Sequence, residues 1–180
     1  MSIDSNYFSL LSKLPPYVFS VVNELKYSAR RRGDDIIDFG MGNPDQPTPK
    51  HIVEKLMESS VQGKNHRYSI SAGLPKLKLA ISDWYKKNYN VSINPDTETI
   101  VTIGSKEGLS HLMIAMLSPG EVVLVPDPCY PIHSFSVLIA RGDIRAYDSF
   151  EEEEMIASIL TGIKKNPKPK ALIISCLLYT

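Results

Sequence analysis

The chain has 180 residues, 43% hydrophobic and 22% charged, which is typical of a soluble globular protein that forms one cored domain or part of a larger one. Its 20 basic and 20 acidic side chains leave no net charge, which argues against nucleic acid or an anionic membrane as the main partner and favours small metabolites. The N-terminus lacks a basic region followed by an apolar core, and no run of about 18 apolar residues occurs, so the sequence predicts cytoplasm rather than secretion or membrane insertion.

The first half of the chain predicts an arm, three helices and one short strand. Thr48 is expected to cap the second helix and Pro49 to open it. The third helix carries apolar residues at helical spacing, which predicts a buried stripe formed by Leu74, Leu77, Ile81 and Trp84. The predicted ranges are 1–14 for the arm, 15–32, 49–60 and 74–89 for the helices, and 36–39 for the strand.

From residue 99 onward, strands and helices alternate in the order βαβαβαβ. Two of the strands are continuous apolar runs, as expected where helices cover both faces of a sheet. The predicted fold class is therefore α/β, a layered and mostly parallel sheet with helices on both faces. The predicted strands are 99–103, 121–125, 143–147 and 170–175, and the helices are 106–117, 131–140 and 151–164.

The junction between the first of these strands and its helix is a candidate anion site. Gly104 turns the chain, and Ser105 is predicted to be the helix N-cap, so that its hydroxyl and the N–H groups of Lys106 and Glu107 face one guest anion. A capped helix without a ligand is the alternative from these residues alone. The segment lacks the GxxxxGK[ST] spacing of nucleotide-hydrolysing enzymes, which argues against that function.

A second candidate follows the next strand, at the carboxyl edge of the sheet where ligands of open α/β folds bind. Tyr130 in this turn either stacks on a flat heterocycle or only packs locally. Tyr68, in a loop before Gly73, is interpreted as a half-buried aromatic residue. The two cysteines and four histidines lack metal-ligand spacing, which argues against a disulfide framework or a zinc site, and each histidine is interpreted as a surface or packing residue.

Taken together and in register, four segments resemble the class I and II aminotransferases, a large family of fold type I pyridoxal-phosphate enzymes. The resemblance covers almost the whole chain. Within the family, the residues of these motifs are most similar to those of the alanine-forming, glutamate-to-pyruvate branch, close to the aspartate and diaminopimelate enzymes. The segments are Asp38–Asp45 with Pro47 and Pro49, Tyr68 with Gly73–Leu77, Thr102–Leu109, and Asp127–Pro131.

This resemblance implies a set of site residues and the cofactor pyridoxal 5′-phosphate. The family's phosphate-binding pair matches Ser105 and Lys106, and its ring-stacking aromatic residue matches Tyr130. The glycine that donates a backbone N–H to the substrate carboxylate matches Gly42. The tyrosine that reaches the phosphate of the partner subunit matches Tyr68, which implies a homodimer with shared active sites and amino-acid and 2-oxo-acid substrates.

The resemblance also divides the chain. It assigns residues 1–45 to an arm and part of a small domain, and 46–175 to the N-terminal part of the large cofactor-binding domain. Residues 176–180 depart from the family pattern and are predicted to be a non-native tail, such as a translated sequencing adapter, with a frameshift or a genuine early stop as alternatives.

Three residues that transamination needs match nothing in this sequence. They are the lysine that holds the cofactor covalently, the acid on its ring nitrogen, and the arginine that grips the substrate carboxylate. The chain is therefore expected to be an N-terminal fragment of an aminotransferase (EC 2.6.1.-) of amino-acid biosynthesis, inactive alone and without a catalytic residue of its own. The alternative is a non-catalytic cofactor-binding or regulatory module.

Overall fold

The computed structural model describes residues 10–40, 42 and 44–175. They form two compact units, one built from residues up to Tyr27 together with those from Ile103 onward, and the other from Ser28–Thr102. The predicted tail at 176–180 and most of the predicted arm lie outside the described residues. The division into domains at residue 45 stays a prediction.

Six helices and three strands make up the regular structure of the described residues, with short 3₁₀ turns at Leu11–Lys13 and Gly63–Asn65. None of these helices is both long and apolar enough to cross a bilayer. The helices are α1 (Val18–Arg31), α2 (Lys50–Ser60), α3 (Pro75–Tyr89), α4 (Ser105–Met116), α5 (Pro131–Ile139) and α6 (Glu152–Lys164). The strands are β1 (Val122–Asp127), β2 (Asp143–Asp148) and β3 (Ala171–Leu172).

The sheet lies in the first unit and has the order β2-β1-β3, with both pairs parallel. In the β1–β2 register, Val122 pairs with Asp143 at one end and Asp127 with Asp148 at the other. The prediction of a parallel α/β sheet is confirmed. Because β1 is the central strand and helices cover it, its first five residues are all buried.

The core of this unit forms on both faces of β1. Val123 and Val125 belong to a buried cluster with side chains of α4, its C-cap residue and α5; the other members are Met113, Leu117 and Val137. Leu124 points to the opposite face, because successive side chains of a strand alternate. There it meets α6 at Gly162, where a Cβ would lie only 2.7 Å from Leu124 Cδ2. The helices therefore pack on both faces, as predicted.

Two predicted strands are absent from the sheet. Neither 36–39 nor 99–103 has strand structure, and the β-branched run at 99–103 makes its backbone contact with a loop instead, where Val101 N–H donates to the carbonyl of Ala72 at 3.4 Å. A β-branched sequence becomes a strand only beside a hydrogen-bonding neighbour. No such neighbour lies along this run in the described part of the chain.

The buried stripe predicted for α3 is also wrong. Leu77 and Trp84 are about half exposed, and the Trp84 ring packs edge-on against Tyr85 and Tyr89 of the same helix. The buried residue of α3 is Lys78, whose ammonium group reaches the carbonyl of Asp96 at 3.4 Å. Helical spacing places apolar residues on one side of a helix, but burial needs a second element to cover that side.

The end of α6 is held by a side chain of β2, which yields a testable prediction. Arg145 donates from Nη1 to the carbonyls of Gly162 (2.7 Å) and Lys165 (3.2 Å) and from Nη2 to that of Pro167 (3.1 Å). A lysine cannot reproduce this planar fork, so Arg145→Lys should lower the free energy of unfolding by about 1 to 2 kcal/mol in urea titrations. The matched change Arg32→Lys alters an exposed pair with Asp34 and should cost less than about 0.5 kcal/mol; equal effects would contradict this role of Arg145.

Candidate functional site

The candidate anion site lies at the first turn of α4. The helix begins at Ser105, and Gly104 is its N-cap, with φ 86° and ψ 156°. Ser105 is therefore the first helical residue and not the cap, a correction to the sequence prediction. The turn needs a conformation that glycine adopts and a residue with a Cβ avoids, which moves the cap back by one position.

Ser105 and Lys106 are both exposed at this turn. The first N–H groups of an α-helix have no partner within the helix, and the helix dipole places partial positive charge beside them. The two residues therefore offer backbone donors to an anion that approaches along the helix axis. The Ser105 hydroxyl does not act as a cap, and the anion site at this turn stays a prediction.

The Lys106 side chain extends to Tyr130. Its ammonium nitrogen lies 5.1 Å from the centroid of the Tyr130 ring, within the range of a cation–π contact. A hydrogen bond with the Tyr130 side chain raises the pKa of Lys106 above its ordinary value. The contact brings together two of the predicted site residues, one in α4 and the other at the N-cap of α5.

Tyr130 is held at the start of α5. It is the N-cap of that helix, with Pro131 as the first helical residue, and its side chain is 38% exposed. An aromatic ring that is anchored at its backbone and open on one side can stack on a flat ligand. The exposed part of the ring is open to a ligand. Both interpretations from the sequence, stacking on a flat heterocycle and local packing, stay predictions.

His133 supports the Tyr130 ring from the side. The two rings meet edge-on, with centroids 6.2 Å apart and planes at 75°. The backbone N–H of His133 donates to the backbone carbonyl of Tyr130 at 2.9 Å. Nδ1 of His133 is buried without a hydrogen-bond partner among the described residues. Burial lowers the pKa of His133, which keeps its ring neutral at neutral pH. This contact agrees with the sequence interpretation of the histidine as a packing residue, and the structure adds that its packing partner is Tyr130.

The sequence prediction used only the backbone N–H of Glu107 and missed the contacts of its side chain. Glu107 is the third residue of α4, and its Oε2 accepts the backbone N–H of Ile103, just before the turn. Its Oε1 lies 3.8 Å from Nδ1 of His111, one turn further along. A glutamate three residues after an N-cap is the signal that could have identified it, since this is the spacing of a capping box.

Gly42 and Tyr68 lie in the second unit and are described there by themselves. Gly42 is exposed, with open space where a side chain would stand. Tyr68 is fully exposed rather than half-buried as expected. Its loop offers no cover for the ring, and a fully exposed tyrosine has its whole side chain available to another molecule.

A separate recess of about 390 Å³ opens at the carboxyl ends of β1 and β2. Asp127 and Asp148 both line it, so its wall carries negative charge. Such a wall disfavours a phosphate group. The recess is therefore not assigned to the anion site at α4.

The residues around the start of α4 fit pyridoxal 5′-phosphate. A phosphate requires oriented N–H donors and a nearby cation, which Ser105 and Lys106 supply. A pyridine ring requires an aromatic face, which Tyr130 supplies. Within the described residues, no three His, Cys, Asp or Glu side chains come together as a candidate metal site.

Known proteins resemble this chain in sequence and in structure. The glutamate-pyruvate aminotransferase AlaC of Escherichia coli K12 is 51% identical over 168 residues, which are 93% of this chain and 41% of that protein. An LL-diaminopimelate aminotransferase of Dehalococcoides mccartyi strain 195 is 42% identical over 134 residues, which are 74% of this chain and 34% of that protein. A single mutant of Thermus thermophilus aspartate aminotransferase, whose structure is solved, matches with a TM-score of 0.81 at 29% identity, over 92% of this chain and 43% of that chain.

The chain spans less than half the length of each of these proteins. Its α/β architecture is that of the fold type I pyridoxal-phosphate enzymes, as the sequence resemblance implied. Residues 34–177 match the profile of the family described as aminotransferase class I and II, whose members depend on pyridoxal 5′-phosphate. The chain therefore belongs to the class I and II aminotransferases.

Proposed function

We propose that this chain is the cofactor-phosphate-binding part of an aminotransferase that moves an amino group between an amino acid and a 2-oxo acid. The observation that carries the proposal is the contact between the Lys106 ammonium group and the Tyr130 ring at the start of α4. It joins the two kinds of recognition that a phosphorylated pyridine needs, one for the anion and one for the ring.

Each residue has a separate task in this proposal. When bound, pyridoxal 5′-phosphate supplies an electron sink for the bonds around the amino-acid α-carbon. The N–H groups of Ser105 and Lys106 bind the phosphate, and the Lys106 ammonium group adds charge beside it. Tyr130 orients the ring by stacking on one face. Gly42 donates its N–H to the substrate carboxylate, a role implied by the family resemblance.

Glutamate and pyruvate are the substrates we favour, in amino-acid biosynthesis. The support is the identity of 51% to a protein named glutamate-pyruvate aminotransferase, against 42% to one named LL-diaminopimelate aminotransferase. We further propose a cytoplasmic homodimer in which Tyr68 reaches the phosphate of the partner subunit. The complete exposure of the Tyr68 ring supports that role.

The family's covalent lysine matches no position among these 180 residues. The proposal therefore expects the chain alone to bind the cofactor without catalysing transamination. Turnover by the purified 180 residues would contradict this expectation.

Binding is best tested with pyridoxine 5′-phosphate, which lacks the aldehyde and so cannot react with surface lysines. The purified chain should bind it at least about 10-fold more tightly than pyridoxine, because the phosphate carries the charge-assisted hydrogen bonds. Lys106→Met should weaken binding by about 3- to 10-fold, and Tyr130→Leu by a similar factor, measured by fluorescence titration. Tyr130→Phe keeps the ring and should retain most of the stacking contribution.

Lys164→Met is the matched control for charge, because it removes an exposed lysine from the far end of α6. It should leave the affinity unchanged. A folded chain, checked by circular dichroism, that binds pyridoxine as well as its phosphate ester would contradict the proposed function.

A further inference from the structure

The start of α4 carries a negative charge that the proposed phosphate site does not explain. Glu107 stands in the first turn with its side chain 37% exposed. A carboxylate there repels an approaching phosphate, although the same carboxylate interacts favourably with the helix dipole. Phosphate binding gains nothing electrostatically from this carboxylate, so its other contacts have to explain why it stands at the site.

Those contacts turn the carboxylate backward, along the chain that enters the helix. Oε2 accepts the backbone N–H of Ile103, and Oε1 lies near His111, so both oxygens are engaged. Between Ile103 and the helix stands Gly104, whose φ of 86° and ψ of 156° fall in a region almost restricted to glycine. Glycine has more conformational freedom than any other residue, so this turn needs a tie from outside its own backbone.

We propose that Glu107 is a positioning residue for the phosphate site. By holding Ile103 N–H, its carboxylate fixes the Ile103–Gly104 turn and with it the direction of the N–H groups of Ser105 and Lys106. The inference rests on the proposed function, because it takes the start of α4 to be where the cofactor phosphate binds. Glu107 positions the phosphate only through the backbone. Its negative charge repels the phosphate and so weakens binding.

Glu107 affects phosphate binding in two ways, through its hydrogen bond to Ile103 and through its negative charge. Three substitutions distinguish these two effects. Glu107→Gln keeps an oxygen acceptor at the same reach and removes the charge. Glu107→Asp keeps the charge but is one methylene too short to reach Ile103. Glu107→Ala removes both. The control is Glu154→Ala, which removes the carboxylate of the third residue of α6. Glu154 is also an acidic residue in the first turn of a helix.

The measured quantity is the dissociation constant for pyridoxine 5′-phosphate with the 180-residue chain. Glu107→Ala and Glu107→Asp should each weaken binding about 5- to 10-fold, because the turn loses a capping-type hydrogen bond. Glu107→Gln should bind as tightly as wild type or up to about 5-fold more tightly, since a like charge is removed and the acceptor stays. The Glu154→Ala control should be unchanged.

A second readout follows the turn itself. In wild-type chain the amide proton of Ile103 should resonate downfield in ¹⁵N-edited NMR spectra and exchange slowly with solvent. Both properties should persist in Glu107→Gln and disappear in Glu107→Ala and Glu107→Asp. This measurement needs no ligand, and it also shows whether each variant has kept the α4 start.

The outcomes keep the two proposals apart. If wild type does not bind pyridoxine 5′-phosphate while the Ile103 signature is present, the proposed function fails and the inference falls with it. If wild type binds and Glu107→Ala or Glu107→Asp binds equally well or better, the positioning role is overturned and the proposed function stands. Glu107→Gln binding as weakly as Glu107→Ala would also overturn it, because charge rather than the hydrogen bond would then matter.

Discussion

Replacing Leu124 with alanine should lower the free energy of unfolding by about 2 to 5 kcal/mol, the range for deleting a fully buried leucine side chain. Leu124 is 0% exposed at the middle of the central strand. It packs against Gly162 of α6, which has no side chain that could move into the space left behind. The lost apolar contact and the remaining cavity therefore add. Urea titration followed by circular dichroism measures the change.

Leu112→Ala is the matched control, because it makes the same chemical change on α4 at a side chain that is 51% exposed. It should cost well under about 1 kcal/mol, since little apolar area is lost and alanine favours the helix. Leu124→Val removes a smaller part of the side chain and should give an intermediate loss if Leu124→Ala fails to fold. Equal effects of Leu124→Ala and Leu112→Ala would contradict the assignment of Leu124 to the core.

Replacing Gly104 with alanine should weaken the binding of pyridoxine 5′-phosphate by about 10- to 100-fold. No atom lies within 4 Å of the position a Cβ would take, so steric conflict with other residues does not cause the loss. The cause is the backbone, because φ 86° with ψ 156° costs a non-glycine residue about 1 to 3 kcal/mol. Alanine will relax to another conformation and redirect the first N–H groups of α4 away from the phosphate.

Gly63→Ala isolates this effect. Gly63 also has no atom within 4 Å of the position a Cβ would take, but its φ is not in the positive range. The substitution should leave the affinity unchanged in the same fluorescence titration. Wild-type affinity in Gly104→Ala would show that the turn does not aim the phosphate donors.

The sequence predicted a helix or strand well where the spacing of its apolar residues and the residues at its ends indicate the same element. The helix predicted over 151–164 is observed as Glu152–Lys164, and the strand predicted over 143–147 as Asp143–Asp148. It failed where an element depends on a partner. The run 99–103 has strand composition but no strand beside it, and α3 has an apolar stripe but no covering element among the described residues.

The same distinction between local pattern and tertiary contact applies to the candidate site. Ser105, Lys106 and Tyr130 follow from motifs in the sequence, because a helix start after a glycine and an aromatic residue after a strand are local patterns. The backward turn of Glu107 onto Ile103 also has a local signal in its spacing from Gly104. The contact of Lys106 with Tyr130 and the burial of His133 have none, since they depend on how α4 and α5 pack together.

The amino-acid sequence by itself determined the alternation of strands and helices from β1 onward, the family, and the residues at the start of α4, because these depend on hydrophobic period, turn residues and motif order along the chain. Only the tertiary structure decided the strand order β2-β1-β3, the burial of Leu124 between sheet and α6, and the placement of the Lys106 ammonium group on Tyr130. These depend on contacts between residues far apart in the chain, which form only when the helices pack on the sheet and exclude water from between them.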